Sequence, residues 1–402
     1  MLEGEKMARE KGSNAYQKLV RIMLVVFVLL ALVIAGYLLI EGTIKDAQRQ
    51  NKVNTEMAQK KAAEEFQVQC QEVEEQNAKI KEQNDRIMAG NGKVKDGPWP
   101  EAKKEGWDVI DLTGYPVKNA YDVNVKREDM MMGGMMLVNR WHALPDDYYE
   151  VANANMLTVH KAAPTIPVDN GSVKLLPNAL AALDTMLKDA EKDAQLTHFL
   201  IEEGFRTMEK QQEAYDKAES KYAKDYDGEV LKQMTINYGG VNYPGTSEYQ
   251  SGFAFNPRRY NREDAEFGKV KFFETPHSDW LVENSWKYGF VFRFPVEGYP
   301  NETVKDKSFK TGESKKLMIY RYVGEGHAAV MHHMDMCMEE YVEYLMEHPH
   351  IAVYENGVLK YEITRMPYSD QPVFEAEVSR NAKEYTVSMD NCGGVIVCMM
   401  YQ

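Results

Sequence analysis

An uncharged run of nineteen residues, Ile22–Ile40, sets the first limit on how this chain can fold. A helix rises 1.5 Å per residue, so the run spans about 30 Å, the thickness of the hydrocarbon core of a bilayer. Basic residues such as Lys18 and Arg21 precede it, and Glu41 follows. This bias predicts a cytoplasmic N-terminus and an extracytoplasmic remainder. A cleaved signal peptide is the alternative; the length of the run and the lack of a clean small-x-small cleavage site favour an uncleaved signal anchor.

The composition changes several times after this run and predicts a series of segments. We expect a cytoplasmic N-terminus (1–21), a transmembrane anchor (22–40), a helical stalk (41–90), a linker with an N-terminal extension (91–129), a globular domain (130–348) and a C-terminal β subdomain (349–402).

The stalk is rich in Glu, Lys, Gln, Asn and Ala and has no proline, which favours one continuous helix. Apolar residues recur every seven positions and are followed four residues later by Cys or Asn: Phe66, Val73, Ile80 and Ile87, with Cys70, Asn77 and Asn84. One of the two heptad positions that would face a partner helix is thus apolar and the other is polar. This pattern fits either a solvated single helix or a parallel homodimer with Cys70 at the helix–helix interface. Both alternatives stay open.

Charge and cysteine content exclude some classes of function. The net charge is −14 and no basic face dominates, which argues against a nucleic-acid partner. The four cysteines are too few and too scattered for a disulfide framework, and they form no Cys-x-x-Cys motif typical of structural zinc.

The rest of the chain predicts an α+β fold, a small antiparallel sheet with flanking helices. We predict strands at 107–112, 130–138, 197–201 and 290–294, and helices at 176–190, 208–217, 279–288 and 331–346. Residues 351–402 alternate apolar and polar side chains and predict four or so strands. The methionine cluster within 130–138 is interpreted as core packing because thioethers fill space far more often than they bind metal.

Five segments occur in a fixed order and together carry a family resemblance: Leu137–Tyr148, Gly204–Gln211, Ser247–Asn256, Trp280–Pro295, and Thr311-Gly followed by Tyr320–Gly324. On these segments the chain resembles the VanY-type D-alanyl-D-alanine carboxypeptidases, zinc enzymes that trim peptidoglycan stem peptides. The tail Ser388–Val397 is similar to closing strands of some members. The resemblance covers roughly residues 130 to 400 and implies a VanY-like peptidase core.

This chain differs from the family pattern at the positions of the zinc ligands and the general base. The family has Ser-x-His-x-x-Gly-x-Ala-x-Asp, where His and Asp bind zinc; here Tyr249 and Asn256 stand in those places, although Ser247, Gly252 and Ala254 keep the frame. The family also has Glu-Pro-Trp-His before Tyr-Arg-Tyr-Val-Gly, with Glu as general base and His as third ligand. Here Lys316 takes the Glu place and Ile319 the His place.

These replacements predict that zinc is not held. A hydrolytic zinc site needs about three protein donors and an open position for water. Ile319 has no donor, Asn256 offers a neutral amide, and Tyr249 would have to ionise from a pKa of about 10. Lys316 adds a cation, so no cofactor is predicted. His277, His327, His332 and His333 are interpreted as structural or surface histidines; the last two are adjacent, and adjacent side chains on a helix diverge.

The positions at which the family binds the end of the peptide keep their residue types. The family uses an Arg and a Gln five residues later to hold the peptide end; Arg206 and Gln211 occupy those places, and Ser247 is grouped with them as substrate-binding. Arg206 could clamp a carboxylate, with Lys316 as a second cation, or could be a structural ion pair. We therefore expect a membrane-anchored, catalytically inactive homologue that binds stem peptide or a cell-wall partner. The alternatives are an active metallo-D,D-carboxypeptidase with a rearranged site, and a division or assembly protein that pairs through its stalk.

Overall fold

The computed structural model describes residues 2–88, 95, 97–264 and 266–401. The chain divides into two compact units, Met1–Phe66 and Gln67–Gln402. Helix α1 (Leu2–Met88) includes the predicted anchor and stalk, and its segment Lys18–Met57 is long and apolar enough to cross a membrane. None of that stretch is buried within the protein, as expected if its surroundings are lipid.

The side chains of the proposed stalk seam lie outside the described part of the structure: Phe66, Cys70, Val73, Asn77, Ile80, Asn84 and Ile87. Pairing of two stalks therefore stays a prediction. Most of the linker predicted after the stalk, residues 89–94 and 96, also lies outside the described residues.

Short helices and strands alternate in the remainder of the described chain. The α-helices are α2 (Arg127–Met131), α3 (Tyr148–Asn155), α4 (Val159–Ala162), α5 (Pro177–Ala194), α6 (Met208–Glu219), α7 (Gly228–Met234), α8 (Pro276–Asn284), α9 (Ser308–Thr311), α10 (Glu325–His333) and α11 (Met338–Glu347). The strands are β1 (Trp107–Asp111), β2 (Ala120–Lys126), β3 (Leu157–Thr158), β4 (Lys174–Leu175), β5 (Phe199–Glu203), β6 (Ala254–Arg259), β7 (Phe290–Phe292), β8 (Tyr320–Tyr322), β9 (His350–Glu355), β10 (Val358–Pro367), β11 (Val373–Ser379), β12 (Glu384–Met389) and β13 (Gly394–Met400).

The strands form small antiparallel sheets, which confirms the predicted α+β class but not the expectation of one sheet. A four-stranded sheet has the order β5-β6-β8-β7, and a five-stranded sheet has the order β1-β9-β10-β13-β12. Strands β11 and β2 form one two-stranded sheet, and β3 and β4 form another. Strands β1 and β2, from the segment predicted as an extension, thus pair with strands of the C-terminal segment. The predicted domain boundaries themselves stay a prediction.

Several helices and strands lie where the local sequence pattern predicts them. Helix α5 begins with Pro177 at its first position and ends before Gln195, whose φ of 56° turns the chain out of the helix. Helix α8 also begins with proline, and a 3₁₀ turn (Ser285–Tyr288) then leads to Gly289 with a φ of 80°. Strands β5 and β7 and helix α6 confirm the predictions near 197–201, 290–294 and 208–217.

The strand predicted at 130–138 is wrong. Met130 and Met131 end helix α2, and the segment after it is irregular. Its backbone is hydrogen-bonded by buried side chains instead of a neighbouring strand: Met135 N donates to Ser388 Oγ, and Gly134 O and Met136 O accept from Arg321. The methionines do pack in the hydrophobic core, as the sequence predicted.

The single helix predicted at 331–346 is also wrong, because two helices cover this region. Helix α10 ends at His333, and Asp335 has a φ of 54°, which a continuing helix cannot accommodate. A new helix then begins with a capping box, in which the Glu340 carboxylate accepts a 3.0 Å hydrogen bond from Cys337 N.

Four buried charged residues connect the four-stranded sheet with the elements around it. Glu248 accepts hydrogen bonds from Arg293, at 2.7 Å, and from Arg321. Arg293 also binds Glu339 of α11 through two nitrogens, at 2.7 and 3.1 Å. All four side chains are at most 3% exposed. Two carboxylates balance two guanidinium groups, so the cluster is neutral although no charge in it reaches water. We call these residues the buried ion cluster.

Replacing Glu248 with Gln should lower the free energy of unfolding by about 3–5 kcal/mol at pH 7, because two buried guanidinium groups lose their shared counterion. Burial acts to raise the pKa of Glu248, but Arg321 and Arg293 outweigh it and hold that pKa below its usual value. The stabilisation by ionised Glu248 is therefore complete above about pH 4.3 and is lost as the pH falls further. The difference in the free energy of unfolding between the variant and the wild type should accordingly become smaller at low pH.

The measurement is urea unfolding of the full chain in micelles at pH 7 and at successively lower pH, followed by tryptophan fluorescence. Glu202→Gln is the control, because Glu202 is half-exposed and lies 3.5 Å from Arg258. Its loss should cost less than about 1 kcal/mol. If the two variants lost equal amounts of unfolding free energy, a structural role for the buried ion cluster would be contradicted.

Candidate functional site

The two segments that carry the altered motifs lie side by side in the four-stranded sheet. A 3₁₀ turn (Glu248–Ser251) leads through Gly252 into β6, where Ala254 pairs with Arg321 and Phe255 with Tyr320 of β8. Gly252 has a φ of 75°, and a Cβ there would lie 2.1 Å from Met156 Cε. Glycine is therefore required at this turn, and the backbone frame of the motif is built.

Tyr249, Asn256 and Ile319 come together in this frame. The two terminal atoms of the Asn256 amide face the Tyr249 hydroxyl, at 3.5 Å, and the Met318 carbonyl oxygen, at 3.2 Å. A carbonyl only accepts, so the amide nitrogen is the atom that faces Met318. Ile319 is 1% exposed and packs in an apolar cluster with Ala254 and Phe294, against which Tyr249 and Leu317 also pack.

Lys316 lies apart from this apolar cluster. Its side chain is exposed, and its ammonium nitrogen lies 5.7 Å from the centroid of the Tyr299 ring. Within the described residues no carboxylate lies in ion-pair distance of it. Lys316 is therefore a cation that remains available to a ligand.

The donor atoms at the family's ligand places do not suit a zinc ion. Ile319 offers none, and the Asn256 amide already hydrogen-bonds within the protein. Burial raises the pKa of Tyr249, and Glu203 adds to this against the opposing effect of Arg206, so the hydroxyl stays protonated. Across the described parts of the chain, no group of three or more His, Cys, Asp or Glu side chains is arranged to bind a metal ion.

Of the four histidines considered from the sequence, two are adjacent and the other two have different partners. His277 Nε2 lies 2.7 Å from the carbonyl oxygen of Thr197, and His327 Nδ1 lies 2.8 Å from the Tyr341 hydroxyl. Burial lowers the pKa of His327 to about 3, so it is neutral at physiological pH. His332 stacks on Trp286 at 4.7 Å, and His333 stacks on Trp107 at 4.6 Å. Each has a packing or hydrogen-bonding partner; the rings of His332 and His333 lie 5.0 Å apart, and His277 and His327 have other partners.

Arg206 is held in place by three neighbours. Glu203 accepts from its Nε and, at 2.5 Å, from its Nη2, and Gln211 Oε1 accepts from its Nη1 at 3.1 Å. The guanidinium lies 4.3 Å from the centroid of the Tyr249 ring, a cation–π contact. Burial lowers the pKa of Arg206, but pairing with Glu203 outweighs this and the net shift is upward, so it stays charged. Arg206, the predicted binding arginine, therefore contacts Tyr249, which stands at the place of the family's first zinc ligand.

Gln211 and Ser247 are the other predicted binding residues, and both are buried. Gln211 is fully buried, and its Nε2 donates to the Asn242 carbonyl oxygen at 2.7 Å. Ser247 is 5% exposed and immediately precedes the 3₁₀ turn.

Two carboxylates that bind arginines at or near the site were not predicted from the sequence. Glu203 lies opposite Asn256 across the β5–β6 pair and binds Arg206. Its spacing of three residues before Arg206 was the available signal. Glu248 lies inside the altered motif. No local sequence pattern indicates that Arg293 and Arg321, which are distant in sequence, bind it.

Known proteins match this chain in sequence and in fold. Residues 172–309 match the family model VanY, D-alanyl-D-alanine carboxypeptidase. A D-alanyl-D-alanine carboxypeptidase of Enterococcus faecium is 26% identical over 280 residues, which cover 70% of this chain and 79% of the relative. The putative carboxypeptidase YodJ of Bacillus subtilis (strain 168) is 27% identical over 209 residues, 52% of this chain and 67% of the relative.

Among solved structures, the vancomycin-resistance D,D-dipeptidase VanXYg, in complex with a D-Ala-D-Ala phosphinate analogue, has the same fold. Its TM-score is 0.52 at 21% identity, and the match covers 70% of this chain and 99% of that chain. Sequence motifs, matched segment and fold point the same way: the chain is similar to the VanY-type D-alanyl-D-alanine carboxypeptidases, with the family match in residues 172–309.

Proposed function

We propose that this protein is a membrane-anchored, extracytoplasmic member of the VanY family that binds peptidoglycan stem peptides or a cell-wall partner without hydrolysing them. One observation carries the proposal: the place of the third zinc ligand holds Ile319, packed in an apolar cluster together with Tyr249. A zinc ion there would lose a donor and would face hydrocarbon in place of an open coordination position.

Charge supports the same conclusion. In the family pattern the ligands and the general base carry two negative charges, whereas here the four positions carry one positive charge, on Lys316. This swing of three units disfavours a dication and favours an anionic ligand. The carboxylate end of a stem peptide is such a ligand.

The arginine arrangement supports peptide binding. Arg206 Nη1 donates only to a neutral amide oxygen, of Gln211, while Nε and Nη2 are occupied by Glu203. A peptide carboxylate that displaced this weaker contact would gain a charge-assisted hydrogen bond. Glu203 would remain in place and fix the orientation of the guanidinium.

The membrane part of the proposal rests on the helix Lys18–Met57 and on the basic residues before its apolar run. The family acts on D-alanyl-D-alanine ends, which occur in the cell wall, so an extracytoplasmic domain would face its ligand. A helix-anchored domain would then be confined to the wall region close to the membrane.

We expect a stem pentapeptide ending in D-Ala-D-Ala to bind the full chain in lipid nanodiscs and to remain uncleaved. Arg206→Ala should weaken binding about tenfold or more, because a charge-assisted hydrogen bond contributes roughly 1.5–3 kcal/mol. Calorimetry measures the affinity, and mass spectrometry measures release of D-Ala. Arg258→Ala is the matched control, since Arg258 lies on β6 and pairs at the surface with Asp169 and Glu202.

Absence of binding by the wild type would contradict the peptide-binding part of the proposal. Stoichiometric zinc in protein purified without chelator, together with D-Ala release, would instead establish the alternative of an active metallo-D,D-carboxypeptidase with a rearranged site.

Restoring the family's three ligands should create zinc binding, because the backbone frame is intact. The triple variant Tyr249→His, Asn256→Asp, Ile319→His should hold about one zinc ion per chain, as one structural or catalytic site requires. Elemental analysis of dialysed protein measures the metal, and Tyr249→His alone serves as the control that lacks the other two donors. A folded triple variant without zinc would show that the frame has drifted from the family geometry.

A further inference from the structure

A cavity of about 260 Å³ is bounded by β7, the loop that follows it and the turn between α10 and α11. Its wall includes the stacked rings of Trp286 and His332, whose centroids lie 4.7 Å apart, and the side chains of Phe292, Pro295 and Val304. These five residues are half-buried or exposed, so a ligand can reach them. None of the residues expected to bind the peptide end lines the cavity. It is therefore a place for a second ligand.

Neutral polar side chains line the same cavity and are accessible, because Asn301 is half-buried and Thr303 and His332 are exposed. Asn301 Oδ1 accepts from Thr303 N at 3.0 Å and from Thr303 Oγ1 at 2.8 Å, whereas its Nδ2 has no partner among the described residues. Burial, together with His333 and Lys287, lowers the pKa of His332 to about 4. At pH 7 its neutral ring thus has one nitrogen that donates and one that accepts. These groups suit a ligand with several hydroxyl or amide groups.

The charged side chains of the lining are compensated within the protein. Lys305 Nζ lies 2.6 Å from a carboxylate oxygen of Asp335. Lys307 Nζ lies 2.8 Å from Glu340 and donates to the Asp335 carbonyl oxygen at 3.0 Å. An ionic ligand would have to compete with these pairs, whereas a neutral polar molecule can hydrogen-bond to them as they stand. The lining therefore favours a ligand that is polar but uncharged.

We propose that this cavity binds one ring of a neutral oligosaccharide, an N-acetylated hexosamine. A pyranose ring presents C–H groups on its faces and hydroxyl groups around its edge, which matches a wall of aromatic and aliphatic side chains interspersed with neutral polar groups. Its acetamido group adds a carbonyl oxygen for the Asn301 Nδ2 donor and a methyl group for apolar side chains such as Phe292 and Val304. A cavity of about 150 Å³ accommodates benzene, so about 260 Å³ suits a single sugar ring with its substituents.

Sugar binding itself does not depend on the proposed function, because it uses no residue of the peptide site. The proposed function supplies the source of the sugar: stem peptides are attached to glycan strands that contain N-acetylated hexosamines. This identification of the source rests on the proposed function. A chain that bound both glycan and stem peptide would hold the cell wall at two points.

The test compares chitotriose with cellotriose, trimers with the same linkage that differ in their acetamido groups. Calorimetry uses the full chain in nanodiscs. We expect chitotriose to bind with a Kd of about 1 mM or lower and cellotriose to bind at least about fivefold more weakly, because the amide contact is lost. A stem pentapeptide is titrated in parallel. Peptide binding without chitotriose binding overturns this inference alone, and chitotriose binding without peptide binding overturns only the proposed function.

Two variants and a matched control locate the effect. Asn301→Asp keeps the oxygen that accepts from Thr303 and removes the Nδ2 donor, so chitotriose binding should weaken about three- to tenfold. Asn170→Asp is the control, because Asn170 Oδ1 accepts from the backbone N, at 2.9 Å, and from the hydroxyl of Ser172 in the same way and does not line the cavity. Val304→Trp should fill the cavity and abolish binding.

Four outcomes would each overturn the proposal. They are no chitotriose binding by the wild type, cellotriose binding of equal strength, binding that survives Val304→Trp, and equal losses of affinity in the two asparagine variants.

Discussion

The buried ion cluster is the interaction on which the rest of the globular structure depends. Glu248 comes from the turn that begins the altered motif, Arg321 from β8, Arg293 from the end of β7 and Glu339 from α11. The two arginines also donate hydrogen bonds to carbonyl oxygens of the irregular segment, at Gly134, Met136 and Val138. Because buried charges tolerate little misplacement, these contacts fix the relative positions of all five segments. Glu248 thereby anchors the turn that leads into β6 of the candidate site.

The side chains of Tyr249 and Ile319 in the candidate site pack in or against one apolar cluster. Tyr249 covers the Arg206 guanidinium and also packs against the apolar cluster around Ile319, so one side chain connects Arg206 with that cluster. Aromatic and aliphatic side chains fill the space in this part of the sheet, as close packing of a protein interior requires.

Local patterns predicted most helices and the altered motif, and failed where distant residues decide the structure. Pro177 and Gly289 mark helix ends through their own backbone preferences, so their effects are readable in sequence. The segment after Met131 has strand-like composition, but Arg321 and Ser388, some 190 and 250 residues away, take its backbone hydrogen bonds. Likewise Arg206 and Tyr249 could be named from motifs, whereas Glu203 belongs to no motif and only its spacing of three residues before Arg206 pointed to their ion pair.

The pairing of β1 with β9 and of β2 with β11 has a consequence for how the protein is made. Trp107 lies opposite Glu355, and Ala120 lies opposite Ser379, so each contact closes a loop of about 250 residues. Contacts of such sequence separation form slowly because the loop must close before they are gained. During synthesis the first two strands must wait, with apolar faces uncovered, until nearly the whole chain has followed. For a nascent chain tethered near a membrane, this interval is when chaperones and proteases would have their best access.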